Sequence, residues 1–177
     1  MLYKVYCDII FLSHNIPGVE NIVFEKVLVC LDGSSLAEEI LPYIAGDSTS
    51  FGKIILLKVL ATPVVNLPIG VPGEEIGPLR TGASLKKLQK EMDETPAYLE
   101  EKAQPLRDKG LDVECVVLEG VASQAIIDYA RNNEVGLIAI ATHGHTGLRQ
   151  IALGSTAEYL LRHSGLPVLM VTPGKKR

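Results

Sequence analysis

GLIAIATHGHTGLRQIALGSTAEYLLRH, residues 136–163, passes from one kind of structure to another within a single stretch. Its opening, residues 136–141, is an aliphatic run without polar alternation, the pattern of a strand covered on both faces. Its closing part, residues 155–163, reads as a helix. Between them lie Gly144, Gly147 and Gly154, the histidines His143 and His145, and the Ser155-Thr156 hydroxyl pair. Flexible backbone at such a junction serves close approach, because glycine lets a loop turn tightly and bring its N–H groups near a ligand. The N-terminus of the following helix carries roughly half a positive charge and attracts anions. A phosphate suits what this segment offers.

Working outward, the same alternation of periods recurs along the chain. KVLVCL (26–31) is a strand, and Leu36, Ile40, Tyr43 and Ile44 after it recur at helical spacing, with Pro42 expected to kink that helix. KIILLKVL (53–60) is the second strand. Residues 61–83, with four prolines and four glycines, form a long excursion of the kind that is usually functional or mobile. SLKKLQKEMDE (84–94) is helical, and a new helix is expected to restart with Thr95 as N-cap and Pro96 in its first turn. Pro105 predicts a second kink, and Gly110 is placed to end the helix. DVECVVL (112–118) is the third strand; Ser123 is expected to cap a helix whose Ala122, Ala125, Ile126, Tyr129 and Ala130 make one apolar stripe. LPVLMV (166–171) is the fifth strand, and no internal repeat is present. Strands alternating with helices imply a parallel sheet with helices on both faces, joined by right-handed crossovers. Pattern alone leaves the strand order open. In open sheets of this kind, ligands bind at the carboxyl ends of the strands where the winding reverses.

Composition narrows the function classes. A length of 177 residues suits one α/β domain with a small appendage. Apolar residues make up 47% and charged residues 21%, enough to bury a substantial core. The net charge of −4 offers no broad attraction to a nucleic acid, and the basic GKKR at 174–177 is read as a solvated tail. Cys7, Cys30 and Cys115 are too few and too scattered for a disulfide framework or a metal site, which fits a reducing, cytoplasmic setting. No apolar run approaches the roughly 18 residues of a membrane span. In the opening 1–15, Asp8 interrupts the apolar residues and no small-residue cleavage site follows, so it is not read as a signal peptide. Residues 1–24 are an N-terminal extension without an assigned role.

Two strand exits differ chemically from the others. The first strand ends at Asp32-Gly33-Ser34-Ser35, and the fourth runs into the glycine-rich segment. Asp32 is an acceptor suited to a ribose hydroxyl pair, and Gly154-Ser155-Thr156 at a helix start suits phosphate. Together they describe a nucleotide cradle without a base-reading side chain. Plainer readings compete at each position: Asp32, with Ser34 or Ser35, can cap the first helix, and Ser155 or Thr156 the last. His143 and His145 lack the carboxylate or cysteine company of a metal site, and Arg149 suits a solvated side chain as well as a phosphate. Only the joint placement of these residues favours the functional reading.

VLVCLDGSSLAEEI (27–40) and ATHGHTGLRQIALGSTAEYLLRHSGLPVLMV (141–171) resemble the universal stress protein family, over residues 25–173. The resemblance implies a five-stranded parallel sheet of order 3-2-1-4-5, a Rossmann-like architecture shared with adenine nucleotide α-hydrolases. In that order the first and fourth strands are neighbours at the reversal point. The ATP-binding branch carries Gly-x-x-Gly, nine residues, then Gly-Ser or Gly-Thr; here Ala141-Thr142-His143-Gly144 is followed by nine residues and Gly154-Ser155. Ala141 departs from the pattern, standing where the first glycine is usual. Carried over by position, Asp32 would bind ribose, and Val59 and Ile140 would line the adenine pocket. The backbone of Ala141, His143 and Gly144, with Gly154, Ser155 and Thr156, would hold the phosphates. The resemblance further implies ATP as ligand, with Mg²⁺ or Mn²⁺ on its phosphates, and a homodimer through the last strand, Leu166–Val171. Residues 61–83 fall in a variable region of such proteins. A Ser-Gly-Gly-x-Asp-Ser loop, the mark of the α-hydrolase enzymes, is missing from Asp32-Gly33-Ser34-Ser35, and no general base or nucleophile is evident. The expected function is an ATP-binding stress or regulatory module with an unidentified protein partner. A nucleotide-free dimeric scaffold is the alternative, and an α-hydrolase-type enzyme a lesser one.

Overall fold

The computed structural model describes residues 24–46, 50–61, 82–142 and 154–172. Five parallel strands form one sheet: β1 (Phe24–Leu31), β2 (Phe51–Ala61), β3 (Asp112–Gly120), β4 (Leu137–Ala141) and β5 (Val168–Val171), in the spatial order β3-β2-β1-β4-β5. This is the expected 3-2-1-4-5 sheet. The helices are α1 (Ser35–Glu38), α2 (Leu41–Gly46), α3 (Gly82–Arg107), α4 (Ala122–Asn132) and α5 (Ser155–His163).

Strand β1 shows why its sequence is apolar without a break. Val27, Val29 and Leu31 face one layer, where Ala37 of α1, Ile40 in the turn after it, Ile44 of α2 and Leu99, Ala103 and Leu106 of α3 pack. Leu28 and Cys30 face the other, against Ile126, Ile127 and Ala130 of α4 and Leu160 of α5. Alternate residues of a strand point to opposite faces, so a strand with helices on both sides needs apolar side chains throughout. Val27, Leu28 and Val29 are fully buried.

Three local expectations are corrected. The first helix is not kinked at Pro42 but divided, α1 ending at Glu38 and α2 beginning at Leu41. Pro42 then sits in the first turn of α2, where a missing N–H costs no intrahelical bond. No helix restarts at Thr95: α3 runs unbroken through Pro96 and Pro105. The bond lost at Pro96 would have gone to the carbonyl of Met92, an exposed residue that water can satisfy. Burial of Thr95, and of Leu99 in the core cluster on the sheet, holds the helix through this point. Ser123 does not cap α4; Val121 takes that position and Ser123 lies in the first turn. Gly110 does follow the end of α3, with its N–H donating to the carbonyl of Arg107. Phe24, the last residue of the expected N-terminal extension, instead opens β1; residues 1–23, residues 62–81 of the long excursion and the basic tail lie outside the described residues.

Replacing a fully buried side chain between the layers should cost far more than replacing an exposed one. Leu56→Ala is expected to lower unfolding free energy by about 2–5 kcal/mol in a denaturant titration. Met92→Ala should change it by less than about 0.5 kcal/mol.

Candidate functional site

Strands β1 and β4 are neighbours at the centre of the sheet, with Cys30 opposite Ile140 in register. The chain builds outward from β1 through β2 to β3, then returns to β4 and builds towards β5. At the carboxyl ends of these strands lies a cavity of about 120 Å³. Its walls are Cys30, Leu31, Leu57, Val59, Ile126, Ile140, Ala141, Ala37 and Ala122; Asp32 and Thr156 supply its polar groups. The strand-end reversal that sheets of this type use for ligands is thus open and lined.

Asp32 is the first residue after β1 and is exposed. One carboxylate oxygen, Oδ1, accepts a 2.8 Å hydrogen bond from the N–H of Ser34, which fixes the orientation of the group. The capping of α1 falls to another residue: Ser34 Oγ accepts from the N–H of Ala37 at 3.1 Å. Asp32 is therefore not the helix cap, and its Oδ2 is unengaged among the described residues. Gly33 takes a left-handed φ of +90°, and a Cβ there would lie 3.0 Å from Lys58 Nζ. That ammonium in turn stands 5.3 Å over the Tyr98 ring. Tyr98 donates its hydroxyl to Glu38 Oε1 at 3.1 Å, and its pKa is pushed up by burial first and then by the Glu38 carboxylate.

Across the cavity, Gly154 is the N-cap of α5 with φ of +74°, and no side chain among the described residues caps the helix. Neither Ser155 nor Thr156 serves as the cap, so the plainer reading of both hydroxyls does not hold. Ser155 is exposed at the first helical position, and Thr156 is half-buried on the cavity wall. Among the described residues, no side chain caps these first N–H groups, the arrangement that favours an anion.

Of the nine residues expected in the site, Asp32, Val59, Ile140, Ala141 and Thr156 line one cavity. Gly154 and Ser155 adjoin Thr156 at the start of α5. His143 and Gly144, with His145, Gly147 and Arg149, lie outside the described residues. Cys30, Leu31, Ala37, Leu57, Ala122 and Ile126 also line the cavity and were not expected in the site from sequence. Period two was the available signal: Leu57 shares a face with Val59, and Cys30 is level with Ile140. Among the described residues, no group of three or more His, Cys, Asp or Glu side chains is arranged to hold a metal ion.

Such a doubly wound parallel sheet with a cleft at its reversal point defines a class of ligand-binding α/β proteins. The chain belongs to the universal stress protein family, whose model matches residues 24–172. Universal stress protein MJ0531 of Methanocaldococcus jannaschii is 29% identical over 93% of this chain and 91% of its own length. The solved structure of MJ0577 superposes with a TM-score of 0.69 at 24% identity, covering 88% of this chain and 100% of that one. A universal stress protein in complex with cAMP gives a TM-score of 0.53 at 21% identity, over 85% and 98% of the two chains. A family member from Arabidopsis thaliana with AMP bound gives 0.58 at 14% identity, over 85% and 93%.

The thiol on the cavity wall is inert by environment. Burial pushes the Cys30 pKa up to about 12. Burial, and then the Glu100 carboxylate, push that of Cys115 up to about 11. Since the thiolate is the nucleophile, Cys115 should react with iodoacetamide about a hundredfold more slowly in the folded chain than in the unfolded one at pH 7, and Cys30 more slowly still. Both folded pKa values are raised, so the linked stability is complete below about pH 9 and lost as pH climbs to about 12. Alkylation followed by peptide mass mapping against pH reads this; fast labelling of native Cys30 at neutral pH would contradict it.

Proposed function

We propose that this chain is an adenine-nucleotide-binding universal stress protein, a cytoplasmic regulatory module that takes up ATP as a homodimer. The observation that carries the reading is the shared cavity: the Asp32 carboxylate, oriented by Ser34 through Oδ1 alone among the described residues, and a helix N-terminus whose cap residue is glycine border the same apolar pocket. At about 120 Å³ the cavity falls below the ~300–1,000 Å³ of pockets that enclose whole ligands, so it suits one ring system. The adenine would lie between Val59 and Ile140. Ribose hydroxyls would donate to Asp32, and the phosphates would extend over Gly154, Ser155 and Thr156, with the backbone of Ala141 to Gly144 opposite. Bound Mg²⁺ or Mn²⁺ would offset the phosphate charge, taking most of its ligands from the phosphate oxygens themselves. Adenine nucleotides bound to two solved family members support this reading.

The edges of the sheet support the dimer. One edge strand, β3, carries Asp112, Glu114 and Glu119, charges of the kind that discourage edge pairing. The other, β5, reads Val168-Leu169-Met170-Val171 and carries none. A two-fold axis beside β5 would pair it with its own copy, since antiparallel strand pairing is self-complementary.

Asp32→Asn separates charge from geometry, because the amide oxygen still accepts from Ser34 and keeps the turn. It should weaken ATP binding about tenfold in calorimetry with an unchanged circular dichroism spectrum; equal affinity would remove Asp32 from the site. Met170→Lys places a charge on the β5 edge and should convert the dimer to a monomer in light scattering. A dimer that survives the lysine would place the interface elsewhere.

A further inference from the structure

The carboxyl end of β2 bears on the candidate site from both of its faces. Leu57 and Val59 line the cavity, so Lys58 between them points into the other layer, where α3 lies. Lys58 is level with Leu31, the last residue of β1. Its half-buried side chain therefore reaches the Asp32-Gly33 turn from the side away from Val59. The ammonium lies 3.0 Å from the point that a Gly33 Cβ would occupy, and Cε lies 3.8 Å from it. Glycine at this position thus serves two ends, a φ of +90° and room for a cation against the backbone. The other strand lysines among the described residues, Lys26 and Lys53, lie near the amino ends of their strands.

What seats this cation is an aromatic ring. Lys58 Nζ stands 5.3 Å from the Tyr98 centroid, and Lys102 Nζ stands 5.6 Å from the same centroid. The ring is itself fixed: its hydroxyl donates to Glu38 Oε1 at 3.1 Å, and Glu38 Oε2 pairs with Lys102 at 3.2 Å. No ion pair among the described residues includes Lys58. An aromatic face attracts an ammonium without neutralising it, so the charge stays available to the turn. Burial first, then the Glu38 carboxylate and then that of Asp32, push the Tyr98 pKa up, which places Asp32 within electrostatic reach of the ring. Helix α3 thus presents, through Tyr98, a seat for a charged group behind the Asp32 turn.

We propose that Lys58 is a positioning residue of the nucleotide site: seated on Tyr98 and packed against Gly33, it holds the Asp32 turn in the orientation that meets the ribose hydroxyls. It touches no ligand itself and acts through the carboxylate. The inference rests on the reading of Asp32 as the ribose-binding group. Without the ammonium the turn samples other orientations, which weakens the hold on ribose and spares the contacts to base and phosphates.

The test is calorimetry of the full chain with ATP and with 2′,3′-dideoxy-ATP, which keeps base and phosphates and lacks both ribose hydroxyls. Lys58→Met retains an unbranched side chain and removes the charge. It should weaken ATP binding by at least about threefold more than dideoxy-ATP binding, a coupling of the size that neighbouring groups show. Any direct attraction of Lys58 for the phosphates acts on both nucleotides alike and cancels in this comparison. Lys53→Met, which removes a charge from the far end of the same strand, should weaken neither. Equal losses for the two nucleotides, or no loss for either, would overturn the proposal. A second measurement needs no nucleotide: the Ser34 N–H donated to Asp32 Oδ1 should exchange with solvent about threefold faster or more in Lys58→Met than in the unaltered chain. An unchanged exchange rate would overturn the proposal as well. Failure of the underlying reading is recognised separately, because the unaltered chain would then bind ATP no more tightly than dideoxy-ATP; that result overturns the proposal together with the reading.

Discussion

Everything in this fold depends on β1 being enclosed from four directions. Strands β2 and β4 flank it, and helix layers cover both its faces. A strand so placed has no side on which a polar residue is tolerated, and from Val27 to Leu31 it carries none. The enclosure ends abruptly at Asp32, where β1 stops while β2 continues as far as Ala61. The break leaves an opening at the carboxyl ends of the central strands. Packing that stabilises the sheet thus also decides where a ligand can enter.

The site is built mainly from what the secondary structure leaves unfinished. Ser34 caps α1, which releases Asp32 from that task. At the other wall, Gly154 occupies the cap position of α5, and no side chain among the described residues satisfies the helix terminus. Its positive φ suits glycine and would strain other residues. Ala141, where the family pattern has glycine, closes β4 opposite Val171 and reaches the cavity wall. Its methyl is compatible with a lined opening at this point.

Much of this architecture could be read from the residues alone, and the exceptions have physical causes. Uninterrupted apolar runs marked the strands because both faces are covered, but the same feature hid Cys30 and Leu57, whose roles depend on which face each one takes. Thr95-Pro96 has the local form of a helix start, yet the tertiary burial of Thr95 and Leu99 prevails over that signal. Ser123 has the chemistry of a cap but sits two residues inside the helix, a boundary that propensity does not fix. Strand order was beyond the pattern itself and came from the resemblance to universal stress proteins. Asp32 and Thr156, far apart in sequence, were placed together by that order, and both lie on the cavity.

The most direct measurement is native mass spectrometry of the full chain after gentle purification without added nucleotide. The account predicts a mass increment equal to one adenine nucleotide per chain, lost on mild activation and carried through the assembly. A bare polypeptide mass that stays bare after incubation with millimolar ATP and Mg²⁺ would contradict it, leaving the cavity as packing space in a scaffold.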